Sequence, residues 1–288
     1  MKLALGTAQF GSKYGIKNYS EAIKKNSSFK LIDCLIKNNI DTIDTAISYP
    51  NSQKILGMSD LTQFKLVTKL PFLESSSLEI KTLIRNYIDT SLKELNISSL
   101  YGVLLHFPEQ ILEQNGNEII IALKDLREKG IIKKIGISIY SPSIIEPILK
   151  KFNFDLIQAP LNLFDNRLVE SGWLEKLKML NIEIHVRSVF LQGLLLMNKK
   201  DIPIKFSKWM NLINDWNTWH ITNKIDPHVA CLKHVLSFKG IDKVIIGVDN
   251  INQLNDLVES YSTDLDIQIP SFAIQDERLL NPSFWNNL

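Results

Sequence analysis

Four residues that can move protons lie at the ends of three apolar runs of the chain. Asp44 ends the first run and Tyr49 follows five residues later, while Lys69 and His106 each end one of the next two runs. A buried ammonium needs a carboxylate partner, so Lys69 is expected to pair with Asp44. A cation near a phenol favours phenolate, so Lys69 should also lower the pKa of Tyr49. We therefore predict that Tyr49 protonates a carbonyl oxygen that His106 hydrogen-bonds.

Each of these residues alone has a commoner structural explanation. A lysine after a strand is usually solvated, and a lone histidine more often satisfies a structural hydrogen bond. Here, however, the residues follow three consecutive strands at equivalent positions. Adjacent strands lie only about 4.8 Å apart, so the side chains are expected to converge on one site.

The elements that must position these residues form a regular alternation. Strands are predicted at residues 2–8, 41–46, 65–70, 100–106, 134–139, 156–161, 183–188 and 243–248. Helices are predicted at residues 29–38, 52–56, 78–95, 118–129, 143–152, 174–180, 227–238 and 253–260. Strands that are apolar throughout are typical of parallel sheets buried on both faces. The pattern predicts an α/β fold, a (β/α)8 TIM barrel, whose active sites lie at the C-terminal ends of the strands.

An open, doubly wound sheet would give the same alternation. Against it, no G-x-G-x-x-G motif follows the first strand, where residues 6–11 read Gly-Thr-Ala-Gln-Phe-Gly.

Two segments interrupt the regular alternation of strands and helices. Residues 197–223, inserted after the seventh strand, carry three tryptophans and are expected to form an extra helix on the barrel or a lid over its mouth. The aromatic tail, 270–288, is expected to lie over the barrel, and residues 1–288 are predicted to be one domain.

Composition narrows the class of protein. With 288 residues, 45% of them hydrophobic, and a net charge of +2, the chain can bury one large core and has no basic stripe for nucleic acid. No apolar run reaches the roughly 18–20 residues that cross a bilayer, and the start of the chain does not read as a signal peptide. Cys34 and Cys231 are expected to be reduced core residues. We predict a soluble, cytoplasmic protein without membrane or nucleic-acid partners.

Residues 44–49 read Asp-Thr-Ala-Ile-Ser-Tyr, and Leu56-Gly57 follow. In these motifs, and in the order Asp44, Tyr49, Lys69, His106, the sequence resembles the aldo-keto reductases from Gly6 to about residue 260. The resemblance implies an NAD(P)H-dependent oxidoreductase that reduces an aldehyde or ketone, with those four residues catalytic. No metal ion is expected.

The resemblance also implies the contacts of a nicotinamide cofactor, NADP(H) or NAD(H). The expected cofactor-binding residues are Gly6, Thr7, Ser138, Gln158, Arg187, Gln192, Gly193, Gly247, Asn250 and Gln253. Ser138 and Gln158 match the family's carboxamide-binding positions. Arg187 stands where an aromatic residue usually lies under the nicotinamide. Its guanidinium could stack on the ring, with a core ion pair as the alternative.

The segment after the eighth strand bears on the choice of cofactor. NADPH-specific members of the family often carry Lys or Arg there to pair with the 2′-phosphate. Here Gly247, Val248 and Gln253 occupy those places, and Asp249 adds a negative charge. The resemblance therefore leaves NADPH, NADH and dual use open.

The substrate is the least defined feature. Tyr14, Phe107 and Trp285 are expected to line a pocket that would suit a sugar or a lipophilic carbonyl. Residues 104–108, Leu-Leu-His-Phe-Pro, resemble those of bacterial members associated with surface polysaccharides, which favours a sugar-derived carbonyl.

Two alternatives to a carbonyl reductase are a nicotinamide-binding regulatory or scaffold protein with negligible turnover, and an isomerase or lyase without nicotinamide. A monomer or weak oligomer is expected.

Overall fold

Eight parallel strands form a closed barrel in the computed structural model, which describes residues 1–11, 15–16, 25–74, 77–264 and 268–288. The strands are β1 (Leu3–Gly6), β2 (Thr42–Asp44), β3 (Lys65–Leu70), β4 (Leu100–Leu105), β5 (Ile132–Ser138), β6 (Leu156–Pro160), β7 (Glu183–Arg187) and β8 (Lys243–Gly247). Each strand pairs with its successor, and β8 pairs with β1. The barrel prediction is confirmed, and the open sheet is excluded.

Helices follow the strands around the barrel. They are α1 (Lys25–Lys37), α2 (Ser52–Leu56), α3 (Ser77–Leu95), α4 (Gly116–Glu128), α5 (Ile145–Leu149), α6 (Arg167–Glu170), α7 (Trp173–Met179), α8 (Met210–Thr222), α9 (Pro227–Ser237), α10 (Ile251–Ser262) and α11 (Glu277–Leu280). In α3, Ile80, Ile84 and Ile88 are fully buried, because three- and four-residue steps place them on one face. In the part of the chain that the structure describes, no helix is long and apolar enough to cross a membrane.

The barrel interior is tightly packed between neighbouring strands. A Cβ atom added at Gly136 of β5 would lie 2.2 Å from the carbonyl oxygen of Leu156 in β6, so only glycine fits there. Cys34 and Cys231 are free and buried, as predicted. The buried interior therefore leaves the strand ends as the place for a polar site.

The insertion between β7 and β8 packs against the body of the protein. Trp216 of α8 is 1% exposed, and its indole Nε1 donates to the Leu195 carbonyl at 2.9 Å. The tail, residues 270–288, packs on this insertion: the Trp285 ring lies 4.9 Å from that of Phe206. The tryptophan-bearing part of the insertion is therefore a packed helix that supports the tail.

Candidate active site

A cavity of about 450 Å³ opens at the C-terminal ends of the strands. Its inner part is lined by residues from several strand ends and their loops, among them Asp44, Tyr49, Lys69, His106, Tyr140, Gln158 and Arg187. From there the cavity extends along the loop after β7 and the start of α10. Asp44, Tyr49, Lys69 and His106 therefore line one cavity.

Lys69 and Asp44 form an ion pair at the floor of this cavity. The Lys69 Nζ donates to Asp44 Oδ2 at 2.6 Å and to the Thr45 carbonyl at 2.9 Å. The other oxygen, Asp44 Oδ1, accepts from the Gln158 side-chain Nε2 at 2.7 Å. Burial lowers the pKa of Lys69, and the adjacent carboxylate opposes that shift. Every oxygen of the buried carboxylate therefore has a donor, as burial of a charge requires.

Backbone pairing beyond the end of β2 fixes these positions. The backbone N–H of Thr45 donates to the Val67 carbonyl at 2.8 Å, and that of Ile47 donates to the Lys69 carbonyl at 3.2 Å. The Ser52 hydroxyl of α2 then donates to Thr7 Oγ1 at 2.9 Å. The turn between Asp44 and Tyr49 is therefore held against both neighbouring strands.

Tyr49 is half-buried beside this ion pair, with Lys69 Nζ 5.5 Å from its ring centroid. Burial and the negative charge of Asp44 raise the pKa of the Tyr49 phenol, and the nearby charge of Arg187 opposes them. The prediction that Lys69 lowers this pKa is therefore wrong. The physical reason is that Asp44 neutralises the Lys69 charge at contact distance. Tyr49 is fully protonated at neutral pH.

His106 lies just past the end of β4 and is half-buried. Burial, together with the charges of Lys69 and Arg187, lowers the pKa of His106 to about 3. Its imidazole is therefore neutral at physiological pH and has one ring N–H to donate.

Two buried polar side-chain atoms lack a partner among the described residues, one at the end of β5 and one in the middle of β6. Ser138 and Gln158 are paired in register, and among the described residues neither Ser138 Oγ nor Gln158 Oε1 has a hydrogen-bond partner. Buried polar atoms without partners are rare in folded proteins. A carboxamide, whose NH₂ group supplies two donors, fits this pair.

The remaining predicted cofactor residues, apart from Asn250, also line the cavity. Those that line it are Gly6, Thr7, Gln192, Gly193, Gly247 and Gln253. Asn250 is the N-cap of α10, where its Oδ1 accepts from the Gln253 N–H at 3.0 Å. Gln192 and Gly193 have φ values of 51° and 92°, a left-handed turn that glycine favours. The Gln192 carbonyl also accepts from the Ile16 N–H at 3.3 Å.

The predicted substrate residues are placed differently. Phe107 is 47% exposed and its ring packs on Phe72 at 5.7 Å, outside the cavity lining. Trp285 is 4% exposed within the contact between tail and insertion, also outside that lining. Tyr14 lies outside the described residues.

Sequence reasoning missed several lining residues. Tyr140, directly after the Ser-Ile pair at the end of β5, lies 4.3 Å from the Arg187 guanidinium. Its position after a strand end was the signal that could have identified it. Phe190 and His228 also line the cavity, with ring centroids 5.6 Å apart. They come from the β7 loop and α9, and no local pattern links them.

Comparison of the sequence with known protein families identifies the family of this chain. The sequence model of the Aldo/keto reductase family matches residues 2–271. The chain belongs to the aldo-keto reductase family. It is therefore an NAD(P)-dependent oxidoreductase, and its small-molecule substrates are carbonyl compounds, as the family implies.

Individual relatives of this aldo-keto reductase are bacterial. Over 281 residues it is 26% identical to YqkF, an oxidoreductase of Bacillus subtilis, covering 90% of each chain. Its fold matches aldo-keto reductase AKR11C1 from Bacillus halodurans with a TM-score of 0.72 and 19% identity, over 91% of this chain and 87% of that one. It also matches the glycerol dehydrogenase AKR11B4 from Gluconobacter oxydans with a TM-score of 0.69 and 20% identity, over 92% and 87%. These two structures support the fold alone.

Proposed function

We propose that this protein reduces an aldehyde or ketone to an alcohol, with Tyr49 as the general acid. The observation that carries the proposal is the buried Lys69–Asp44 ion pair beside Tyr49 and His106 in one cavity. The bound nicotinamide dinucleotide supplies the hydride that the carbonyl carbon accepts. The residues of the chain must then orient the carbonyl, deliver a proton to its oxygen and stabilise the phenolate left behind.

Each residue of the site has a distinct task in this proposal. His106 donates its ring N–H to the carbonyl oxygen, because its low pKa keeps it neutral. Tyr49 keeps its proton until negative charge develops on that oxygen, since burial raises its pKa. Lys69 stabilises the phenolate once the proton has left, and Asp44 holds Lys69 in place. General acid catalysis of this kind contributes about 10²–10⁴-fold to the rate.

The cofactor is proposed to place its carboxamide against Ser138 and Gln158. The support is the pair of buried acceptors without partners, Ser138 Oγ and Gln158 Oε1. The left-handed turn at Gln192 and Gly193 would then lie along the pyrophosphate, where glycine permits close backbone approach. The adenosine would lie near Asn250 and Gln253, at the start of α10.

NADH is proposed as the preferred cofactor. Asp249 lines the cavity beside α10, and its Oδ2 accepts from Gln253 Nε2 at 3.3 Å. Among the described lining residues the only Lys and Arg side chains, Lys69 and Arg187, belong to the inner part. A 2′-phosphate near Asp249 would meet like charge, so NADPH should bind more weakly than NADH.

A sugar-derived carbonyl is the proposed substrate class, because the cavity offers polar groups as well as the rings of Tyr140 and Phe190.

The test is a Tyr49→Phe variant compared with the wild-type enzyme. Titration with NADH and NADPH, followed by a carbonyl panel that includes aldoses and lipophilic aldehydes, gives affinity and turnover for both proteins. We expect Tyr49→Phe to lose about 10²–10⁴-fold in turnover and to keep its cofactor affinity. Turnover close to wild type would refute the assigned acid. Tight cofactor binding without oxidation of bound NADH by any carbonyl in stopped flow would favour the scaffold alternative.

A further inference from the structure

Arg187 places a positive charge without an acidic partner in the inner part of the cavity. Its guanidinium donates to the Ile139 carbonyl at 3.0 Å and to Ser188 Oγ at 3.2 Å, and it lies over the Tyr140 ring. Across the described residues, no carboxylate forms an ion pair with it. The core ion pair considered as an alternative from the sequence is therefore absent there. These contacts to uncharged groups hold the guanidinium in place and do not neutralise its charge.

This charge lies next to the pair of acceptors without partners. Arg187 ends β7, which pairs with β6, the strand that carries Gln158. The Ile139 carbonyl that accepts from Arg187 belongs to the residue directly after Ser138. A ring whose carboxamide bonded to Ser138 and Gln158 would therefore lie close to the guanidinium.

The other charges in the inner part nearly cancel. Lys69 is paired with Asp44 at 2.6 Å, and His106 is neutral because burial and the charges of Lys69 and Arg187 lower its pKa. Asp249, the other carboxylate among the described lining residues, follows β8 and accepts a hydrogen bond from Gln253 of α10. A bound nicotinamide ring therefore meets a net positive charge, and that charge comes from Arg187.

We infer that Arg187 makes this site bind the reduced nicotinamide dinucleotide more tightly than the oxidised one. The inference rests on the proposed function, because it requires the nicotinamide ring at Ser138 and Gln158. The reduced ring is neutral, whereas the oxidised ring is a pyridinium cation. Repulsion between pyridinium and guanidinium in a partly buried site weakens only the oxidised form. The uncharged aromatic residue usual at this position would lack this effect. Because Arg187 weakens binding of the oxidised cofactor, it also promotes release of that cofactor after the reduction.

The test compares dissociation constants of NADH and NAD⁺ for four proteins: wild type, Arg187→Met, Arg187→Gln and Arg187→Lys. The measured quantity is the ratio of the NAD⁺ constant to the NADH constant, obtained by fluorescence and calorimetry without any substrate. We expect the ratio to fall about tenfold or more in Arg187→Met and Arg187→Gln and to change less than about threefold in Arg187→Lys. A tenfold change in the ratio corresponds to about 30 mV for a two-electron couple.

The outcomes separate this inference from the proposed function. Failure of the wild type to bind either dinucleotide, with or without the 2′-phosphate, would reject the proposed function itself. Binding of both forms with an unchanged ratio in the neutral variants would reject only the role of Arg187. An equal loss in Arg187→Lys and Arg187→Met would show that contacts, not charge, set the ratio, and would also overturn the inference. If Arg187→Met does not fold, Arg187→Gln replaces it, because its amide keeps a donor for the Ile139 carbonyl. A ratio of one or less in the wild type would by itself overturn the inference.

Discussion

At the scale of single residues, the site depends on a charge pair in which neither partner can be removed alone. Lys69 and Asp44 are almost fully buried and in contact. Loss of one partner leaves the other as an uncompensated charge away from water, which is more costly than loss of both. The pair therefore couples the chemistry of the site to the stability of the barrel.

We expect Lys69→Met to lower the free energy of unfolding by about 3–5 kcal/mol. The double variant Asp44→Asn/Lys69→Met should lose clearly less than the sum of the two single losses, because no bare charge remains. Denaturant unfolding of all four proteins measures this coupling. Lys54→Met is the matched control, since Lys54 is 60% exposed in its ion pair with Glu94 at 3.6 Å. This substitution should cost less than about 1 kcal/mol. Additive losses would contradict the expectation.

At the scale of the elements, the tail packs on the insertion and on the segment after β6, within the same hydrophobic core as the barrel. Trp285 donates through Nε1 to the Leu279 carbonyl at 3.0 Å, and its own carbonyl accepts from Lys205 at 2.9 Å. At the other end of the tail, the Asp276 carboxylate accepts from Lys208 and from the Trp209 indole. The contacts with Lys205, Lys208 and Trp209 bind the tail to the insertion. Neither Trp285 nor Asp276 lines the cavity.

Trp285→Ala should therefore destabilise the protein by about 3–5 kcal/mol, as loss of a buried aromatic side chain usually does. Cofactor affinity should stay within about twofold, because Trp285 does not line the cavity. Thermal unfolding and cofactor titration of the same sample test both parts. Phe284→Ala is the control, since that ring is 42% exposed and should cost about 0.5 kcal/mol or less. A large loss of cofactor affinity in Trp285→Ala would show that the tail shapes the site.

Elements were more predictable from the sequence than side-chain contacts. The eight strands were predicted within a few residues at their ends, because strands buried on both faces read as apolar runs. The position of Asp44, Lys69 and His106 at strand ends followed from the barrel rule. By contrast, the packing of Trp285 on Phe206 joins distant segments by shape alone. The pKa of Tyr49 was mispredicted because burial outweighed a cation that Asp44 already neutralises.

At the scale of the whole molecule, the two ends of the barrel carry different kinds of charge cluster. The end opposite the cavity holds Glu183, whose carboxylate accepts from His185 at 2.8 Å, from Tyr101 at 2.7 Å and from Lys134. Burial alone would raise the pKa of Glu183, but these hydrogen bonds lower it well below its ordinary value. This cluster joins β4, β5 and β7.

This cluster should make the free energy of unfolding depend on pH in the acidic range. Because the pKa of Glu183 is lower in the folded protein, its contribution is complete above the unfolded value of about 4.3 and is lost as pH falls below it. Glu183→Gln should therefore be less stable than wild type at pH 7 and should lose less stability between pH 5 and pH 3. Denaturant unfolding at a series of pH values measures both slopes. Parallel slopes would exclude Glu183 as a source of the acid sensitivity.

Closure of the barrel by β1 and β8 also governs how the chain can fold during its synthesis. Leu3 pairs with Val244, so β1 keeps an unpaired edge until the chain as far as β8 has left the ribosome. At about 5–20 residues per second, that wait lasts on the order of ten seconds or more, and an open edge is a site for wrong pairing. A nascent chain stalled before β8 emerges should be cut readily by a protease in its first hundred residues, whereas the released protein should resist. Equal resistance would mean that the barrel forms a stable open intermediate during translation.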